Sequence, residues 1–402
     1  MRAWRWIAIA AMAPVAAHSA DEPGCPGCVV EPAISVDAVY TAELWRAFSG
    51  GLGVGDRYLD DFALTAAVDG GQLLGLDGWQ LFGAMLYNNG RQFSDDLTGS
   101  VQGITNIETL PATRLFELWT QWRARHGAGS IKFGLYDLNS EFDHIAAAEL
   151  FINPSHGIGP DFSQSGENGP SIFPVTSLAL RGQMLAGPWT IQAAVLDAKP
   201  GNPRHPERTD VSLSRTEGAL IVGELDYRSE SGARVGAGYW RYTADFDDVS
   251  LVDGAGDPLR RNDNAGAYLL IESPLLLQQG SERGLNLFAR TGTAESRVNE
   301  LGHYYGVGAV YSGLEGRGMP DQIGLAVAIA ELGEPTRMRW IDAGDTPSRR
   351  EYNYELTCRF TVSKRVALQA DLQYIDNPGL SSSLPSAMMI GLRIEVAQSW
   401  EH

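Results

Sequence analysis

The feature that most constrains the fold is a two-residue alternation of apolar and polar side chains along most of the chain. In 366–374, Leu368 and Leu372 fall on one parity, and Gln369, Asp371 and Gln373 fall on the other. Successive side chains of a β-strand point to opposite faces, so the pattern predicts strands with one apolar and one polar face. The same alternation recurs, separated by Gly, Asp, Asn and Pro, in 62–68, 114–122, 131–137, 221–228, 285–291, 352–362 and 390–396. In 114–122, Phe116 falls on the apolar parity. The sequence therefore predicts an all-β protein.

A soluble sandwich and a membrane barrel both alternate in this way, because each has one dry face and one wet face. Two features favour the barrel. Several apolar faces begin or end in an aromatic residue, as expected at a membrane interface: Tyr227, Tyr352, Tyr354 and Tyr374. The polar faces also carry Gly beside Arg and Glu, which suits a water-filled interior. We therefore predict a transmembrane antiparallel β-barrel.

The membrane forces such a sheet to close, because an open edge would leave backbone groups unpaired in hydrocarbon. At roughly 20–25 residues per strand and connection, the chain supplies about 16 strands, enough to enclose an aqueous channel. The predicted long connections are 88–112, 140–176, 197–218, 245–264 and 333–350. We expect these extracellular loops to fold into the pore, with a short helical turn at 145–151 inside the longest one.

The N-terminus has the order of an export signal. Arg2 and Arg5 precede an apolar stretch from Trp6 to Ala17, and small residues follow up to Ala20. We predict a signal peptide at 1–20, a short Pro/Gly/Cys-rich leader at 21–35 and an outer-membrane barrel domain at 36–402. Cys25 and Cys28 could close a small disulfide in an exported protein.

Charge and motifs exclude several classes of function. The chain has 31 Lys and Arg against 49 Asp and Glu, a net charge of −18, which disfavours nucleic acid as a partner. The sequence contains no Gly-x-Ser-x-Gly and no His-Glu-x-x-His motif. We therefore predict no enzymatic activity, no cofactor and no metal.

Several stretches, in order along the chain, resemble the carbohydrate-selective porins of the OprB family. They are Gly90-Arg-Gln-Phe-Ser94, 115–119, 132–142, 151–154, Tyr354-Glu-Leu356, 368–379 and 391–394. The resemblance runs from about residue 36 to the end of the chain. It implies a 16-stranded outer-membrane barrel through which sugars diffuse into the periplasm, with polar side chains and inward-folded loops narrowing the lumen.

The candidate pore-lining residues come from two sources. Inward parity selects Glu117, Trp119, Gln121, Lys132, Tyr136, Glu224, Asp226, Arg290, Glu355, Arg359, Asp371 and Gln373. The segment that resembles the family adds Asp137, Asn139, Glu141 and Asn153 at the start of the longest loop. A further hypothesis sets Arg290 and Arg359 across the channel from Glu117 and Glu224.

The function we predict is passive diffusion of mono- and oligosaccharides across the bacterial outer membrane, with sugars as permeating substrates and membrane lipid around the barrel. Three alternatives stay open: a general porin that prefers cations, an outer-membrane hydrolase built on a β-barrel, and a secreted soluble sugar-binding β-protein. Assembly into a homotrimer is also left open. The alternation further predicts that Leu368→Arg destabilises the barrel, whereas Gln369→Arg folds normally and alters conductance.

Overall fold

The computed structural model describes residues 32–90, 92–211, 214, 216–275, 283–314 and 319–402. The predicted signal peptide, most of the predicted leader and the Cys25–Cys28 pair lie outside the described residues. Among the described residues, the structure contains no helix with the length and apolar character that a membrane span requires.

The described residues form a closed antiparallel barrel of 16 strands, in agreement with the sequence-based prediction. Each strand pairs with its neighbour in the chain, apart from the pairing of β9 with β12, and the barrel closes between β1 and β18. The barrel strands are β1 (Ile34–Ser49), β2 (Gly55–Asp69), β3 (Trp79–Asn88), β4 (Ala112–Arg123), β5 (Gly129–Tyr136), β6 (Ser177–Ala186), β7 (Trp189–Asp197), β8 (Ala219–Arg228), β9 (Arg234–Tyr242), β12 (Ala265–Leu275), β13 (Gly284–Ala294), β14 (Leu301–Ser312), β15 (Gln322–Leu332), β16 (Arg350–Ser363), β17 (Val366–Asp376) and β18 (Ala387–Glu401).

The remaining elements lie in the connections between barrel strands. A separate hairpin of β10 (Phe246–Val252) and β11 (Pro258–Arg261) lies between β9 and β12. The α-helices are α1 (Gly70–Leu74), α2 (Pro160–Ser163) and α3 (Glu334–Asp342). Short 3₁₀ helices span Arg125–Gly127, Leu138–Ser140, Ala146–Leu150, Pro154–His156 and Pro378–Leu380, and a π-helical turn spans Ser94–Thr98. The helical turn predicted at 145–151 is thus confirmed at Ala146–Leu150.

The two ends of the barrel differ in the length of their connections. The first and last strands meet at one end, where the Ile34 amide donates to the His402 carbonyl at 3.0 Å. Tight turns at 187–188 and 364–365 lie at this short-turn end. The opposite, long-loop end carries the connections 89–111, 137–176, 198–218, 243–264 and 333–349, close to the predicted bounds. This asymmetry is typical of outer-membrane barrels, in which the short turns are periplasmic.

The outer face of the barrel is apolar and carries two aromatic belts. Leu44 and Leu325 are each 59% exposed, as expected of residues that face lipid. Near the short-turn end the exposed aromatics are mainly tryptophans: Trp79, Trp122, Trp189, Tyr227 and Trp400. Near the long-loop end they are mainly tyrosines: Phe48, Tyr58, Tyr87, Tyr239, Tyr305, Tyr354 and Tyr374. Rings with one apolar and one polar part are favoured at the two water interfaces of a bilayer.

The parity assigned to Phe116 from the sequence is wrong. The register between β3 and β4 shifts where Ala84 pairs with Glu117 and Met85 with Leu115, which leaves Phe116 unpaired in a bulge. A bulge inserts one residue and changes which face the neighbouring side chains share. Phe116 is consequently buried inside the barrel, in a cluster with Phe82 and Trp119.

The expected behaviour of Gln369→Arg also needs revision. Leu368 has the outward parity of its strand, but the Gln369 side chain is buried beneath an inward-folded loop. Its amide donates to the Leu150 carbonyl at 2.7 Å and to the Thr357 hydroxyl at 2.8 Å. An arginine at 369 would displace the loop, so Gln369 does not serve as a freely substitutable interior position.

We predict that Leu368→Arg lowers the free energy of unfolding of the barrel in a bilayer by about 2–4 kcal/mol, because lipid cannot solvate the guanidinium. The matched control is Asn286→Arg, on the interior face of β13 beside open space. Urea titration in lipid vesicles, followed by tryptophan fluorescence, measures both variants. Equal losses of stability would contradict the assignment of inner and outer faces.

Candidate functional site

The connection between β5 and β6, residues 137–176, folds into the barrel, and we call it the inward loop. Its backbone N–H groups need acceptors, because they leave water without joining a sheet. Three glutamates of the wall accept them: Glu224 from Asp143 (2.8 Å), Glu272 from Ala147 (3.0 Å), and Glu355 from Ile152 (2.6 Å) and Asn153 (3.1 Å). The wall thereby holds the inward loop at three places around the lumen.

Arg290 of β13 fixes the inward loop a second time. Its guanidinium donates to both carboxylate oxygens of Asp143, at 2.9 and 2.6 Å, and it also pairs with Asp161. The rings of Tyr268 and Tyr304 lie 5.5 and 5.1 Å from the guanidinium carbon. All three charged side chains are almost completely buried. One arginine therefore joins two distant parts of the inward loop to the barrel.

A second ionic cluster surrounds Glu141, near the start of the inward loop. Its carboxylate accepts from Lys132 at 2.8 Å, from Arg181 at 2.6 and 2.7 Å, and from the Tyr136 hydroxyl at 2.7 Å. Burial alone would raise the pKa of Glu141, but the charges of Lys132 and Arg181 outweigh it and lower the pKa to about 2. Glu141 is therefore ionised at neutral pH, and the Lys132 ammonium also lies 4.2 Å from the Trp119 ring.

The connection between β3 and β4, residues 89–111, also enters the barrel. Glu351 of β16 accepts from the Ser100 hydroxyl at 2.7 Å and from the backbone of Val101 and Gln102, each at 3.1 Å. Elsewhere Gln373 donates to the Ile104 carbonyl at 2.9 Å, and Arg393 donates to Asn106 at 2.5 Å. Two loops thus fill part of the lumen and are bonded to the wall facing them.

The space that remains among the described residues includes two cavities, and a short turn of the inward loop lines both. The outer cavity, of about 550 Å³, is lined largely by the two loops, and the inner cavity, of about 440 Å³, reaches Gly232 and Pro274 near the short-turn end. The turn Ala146–Leu150 contributes residues to both cavities, and Glu149 lines both. The imidazole Nε2 of His144 lies 2.7 Å from a Glu149 oxygen. The turn Ala146–Leu150 therefore lies where the two cavities come closest in their lining.

The predicted pore-lining residues all lie in the barrel interior, in different surroundings. Asp137, Asn139 and Asn153 border the outer cavity, and Arg359 borders the inner cavity. Ten others contact the inward loop or one another: Glu117, Trp119, Lys132, Tyr136, Glu141, Glu224, Arg290, Glu355, Asp371 and Gln373. Gln121 accepts a hydrogen bond from Arg181 at 2.9 Å, and Asp226 pairs with Arg234 at 2.8 Å. Their role in the pathway stays a prediction.

The hypothesis that sets Arg290 and Arg359 across the channel from Glu117 and Glu224 stays a prediction, and two of these side chains have local partners. Arg290 is matched by Asp143 and Asp161, and Glu224 lies 3.3 Å from Arg234. Residue parity selects a face but gives no position around the barrel, so these partners were not foreseeable. Sequence reasoning also missed six charged or titratable residues that line the outer cavity: Asp61, Asp95, Glu108, His144, Glu149 and Arg393. Inward parity could have selected Asp61 and Arg393, whereas the loop residues carry no such signal.

We predict that Arg290→Gln loosens the inward loop, because it leaves the Asp143 and Asp161 carboxylates without their cation. Breaking a buried ion pair in this way costs about 3–5 kcal/mol. Single-channel recording should show a larger, noisier conductance, and added protease should cleave the inward loop. The control is Arg260→Gln, which breaks an exposed pair with Asp247 (2.7 Å), where little stabilisation is expected. An unchanged conductance in a folded Arg290→Gln barrel would contradict the assigned role of Arg290 in holding the inward loop.

Comparison with known proteins agrees with this geometry. The chain is 28% identical over 375 residues to Porin B of Pseudomonas aeruginosa, an alignment that covers 84% of this chain and 81% of that protein. A high-pH structure of Pseudomonas putida OprB superposes with a TM-score of 0.81 at 23% identity, over 91% of this chain and 94% of that one. A low-pH structure of the same protein gives a TM-score of 0.57 at 19% identity, over 91% and 93%. Both structures share the barrel fold.

The family model for carbohydrate-selective porins of the OprB family matches residues 54–397. This range includes both loops that enter the lumen and all of the barrel from the start of β2 to within β18. The chain therefore belongs to the OprB family of carbohydrate-selective porins.

Proposed function

We propose that the protein is a passive channel through which monosaccharides and short oligosaccharides diffuse from the long-loop end to the short-turn end. The observation that carries the proposal is the division of the lumen into two cavities that meet at one small turn, Ala146–Leu150. Three consecutive alanines keep side-chain bulk low at the narrow point. A solute must fit past this turn, so sugar size should limit the flux.

The walls supply what an uncharged sugar needs. Leaving water costs a sugar its hydrogen bonds, and the partly exposed Asn139 borders the outer cavity with an amide oxygen that can accept from a sugar hydroxyl. Binding must remain weak, since a tightly held solute would stop the flux. The buried polar residues of the wall, from Glu117 to Gln373, act in this account by holding the loops that shape the passage.

The same proposal sets the protein in the bacterial outer membrane, with the aromatic belts at the lipid interfaces and the predicted N-terminal signal directing export. The concentration gradient of the sugar drives transport, so no catalytic step is required. Turnover of a lipid or glycoside by the purified barrel, lost on substitution of one Ser or Glu, would favour the hydrolase alternative. Association of three barrels stays a prediction, which cross-linking in native membranes would check.

We predict that Ala146→Trp reduces sugar flux and ion conductance strongly without unfolding the barrel, because Ala146 is exposed to the inner cavity at the narrow turn. The control Ala146→Ser should behave like the wild type. Liposome swelling with a monosaccharide, a disaccharide and a trisaccharide measures the flux, which should fall as size increases. Undiminished flux in the tryptophan variant would place the pathway elsewhere.

The outer cavity also favours a preference for cations, which would coexist with sugar transport. Its lining includes the carboxylates Asp61, Asp95, Glu108, Asp137 and Glu149. The guanidinium of Arg393 borders the same cavity, but it is already paired with Glu43, to which its Nε donates at 2.6 Å. An excess of like charge in a confined space raises the local concentration of the opposite ion.

We predict that this cation preference increases as the pH rises from about 6 to about 8. Burial raises the pKa of Glu108 to about 7, against the opposing hydrogen bonds from Ser94. Burial likewise raises the pKa of Asp137 to about 7, against the hydrogen bond from the Asn139 backbone. Both carboxyls are neutral below that pH and charged above it, so higher pH adds negative charge to the cavity.

Reversal potentials in a salt gradient measure this effect, best at or below about 0.1 M salt, where screening is weaker. Glu108→Gln should flatten the pH dependence. Asp77→Asn, which removes an exposed charge near the short-turn end, should leave it unchanged. A cation preference that falls as the pH rises would contradict the prediction.

A further inference from the structure

One wall of the outer cavity has an apolar row beside a polar one. Val39 of β1 pairs with Ala63 of β2, which pairs in turn with Leu86 of β3, and all three line the cavity. Two residues further along, Thr41 pairs with Asp61, and both line the same cavity. The rows are about 7 Å apart, the rise of two strand residues. The wall therefore presents an apolar row and a polar row at a separation that one sugar ring can span.

An aromatic side chain from the inward loop extends the apolar row. Phe173 packs against the same cluster and lies 6.2 Å from Phe116, centroid to centroid, with the rings inclined at 63°. Phe116 reaches this position because of the bulge in β4, and it is buried. Phe173 is partly exposed, and the neighbouring Ile172 and Pro174 also line the cavity. Phe116 thus supports a ring that Phe173 presents to the cavity.

The polar row retains capacity for hydrogen bonds. One oxygen of the Asp61 carboxylate accepts from the Asn88 amide at 2.5 Å. This bond occupies one carboxyl oxygen of Asp61, so the second oxygen can meet a sugar hydroxyl. Asn139 and Asn153 of the inward loop border the same cavity. Its volume of about 550 Å³ is of the size that encloses a small ligand.

We propose that this wall is a binding subsite for one pyranose ring. In it, Phe173 contacts an apolar face of the sugar, and the Asp61 carboxyl group accepts hydrogen bonds from sugar hydroxyls. The inference rests on the proposed function and adds a substrate class to it. A pyranose with equatorial hydroxyls exposes C–H groups on both faces of a rigid ring. An acyclic alditol with the same number of carbons has no such face. The channel therefore retains pyranoses longer than alditols of equal size.

The test compares glucose with glucitol in single-channel recordings, where a bound solute interrupts the ion current. Wild-type channels should show longer interruptions with glucose than with glucitol. Phe173→Leu keeps an apolar side chain but removes the ring, and it should weaken glucose binding about fivefold, the scale of one aromatic contact, without affecting glucitol. Asp61→Asn should weaken binding of both solutes.

The matched control is Phe82→Leu. Phe82 belongs to the same apolar cluster and stacks on Trp119 at 4.9 Å, but it is absent from the cavity lining among the described residues. This variant should keep the preference for glucose. If Phe173→Leu fails to fold, Phe116→Leu serves instead, because it removes the ring that packs against Phe173. It should also weaken glucose binding without affecting glucitol.

Three results would distinguish failure of the subsite from failure of the proposed function. Equal interruptions by glucose and glucitol in the wild type, with both sugars still permeating, would overturn the subsite and leave the channel intact. Loss of the glucose preference in Phe82→Leu as well as in Phe173→Leu would also overturn it, because general loosening of the cluster would then suffice. Channels that pass ions but neither solute would contradict the proposed function itself.

Discussion

Backbone hydrogen bonds at the edges of the sheet govern the rest of this structure. Hydrocarbon offers neither donors nor acceptors, so a spanning strand is stable only with a partner on both sides. The pairing of β1 with β18, continuous from Ser35 opposite Glu401 to Ala47 opposite Met389, removes the last two edges. Closure with sixteen strands then leaves more interior space than the inward side chains fill. The inward loops occupy part of that space, and the remainder includes the two cavities lined by the described residues.

The interior contains many buried charges, and their partners explain how the loops stay in place. An exposed ion pair such as Arg46 with Asp56 contributes about 0–1 kcal/mol, because water competes for both groups. Inside the barrel, removing one partner leaves the other without water, which costs several times more. The inward loop is therefore anchored by Glu224, Glu355 and Arg290, and we expect removal of any of them to lower the free energy of unfolding. Apolar burial also holds the inward loop, because Phe142, Phe151 and Phe162 are almost completely buried in a cluster that includes wall residues.

The fold could be predicted from the sequence because the membrane makes its pattern regular. Alternation in 352–362 and 366–374 gives the faces of β16 and β17 directly. The length of the chain, divided by about 20–25 residues per strand and connection, gives the number of strands. The face of Phe116 was predicted wrongly because one extra residue in β4 shifts the register. No residue type in this stretch of sequence indicates a bulge. The alternation did not predict the positions of the inward loop either. Glu355 meets Ile152 across 203 positions of sequence, and parity carries no information on such contacts.

Three features depend on one another in this account. The closed barrel creates the space, the wall carboxylates and Arg290 hold the loops within it, and the turn Ala146–Leu150, with three small alanines, lines both cavities. The amphipathic wall near Phe173 lies before that turn, on the long-loop side, where a sugar would meet it first. Selectivity would then arise from short retention in the outer cavity followed by passage through a size-limited turn.

Passive passage of sugar is tested most directly by uptake of labelled glucose into liposomes that contain the purified barrel. We expect entry well above that of protein-free liposomes, driven only by the glucose gradient and ending when the internal and external concentrations are equal. Entry no faster than through lipid alone, from a barrel shown to be folded and to conduct ions, would contradict it.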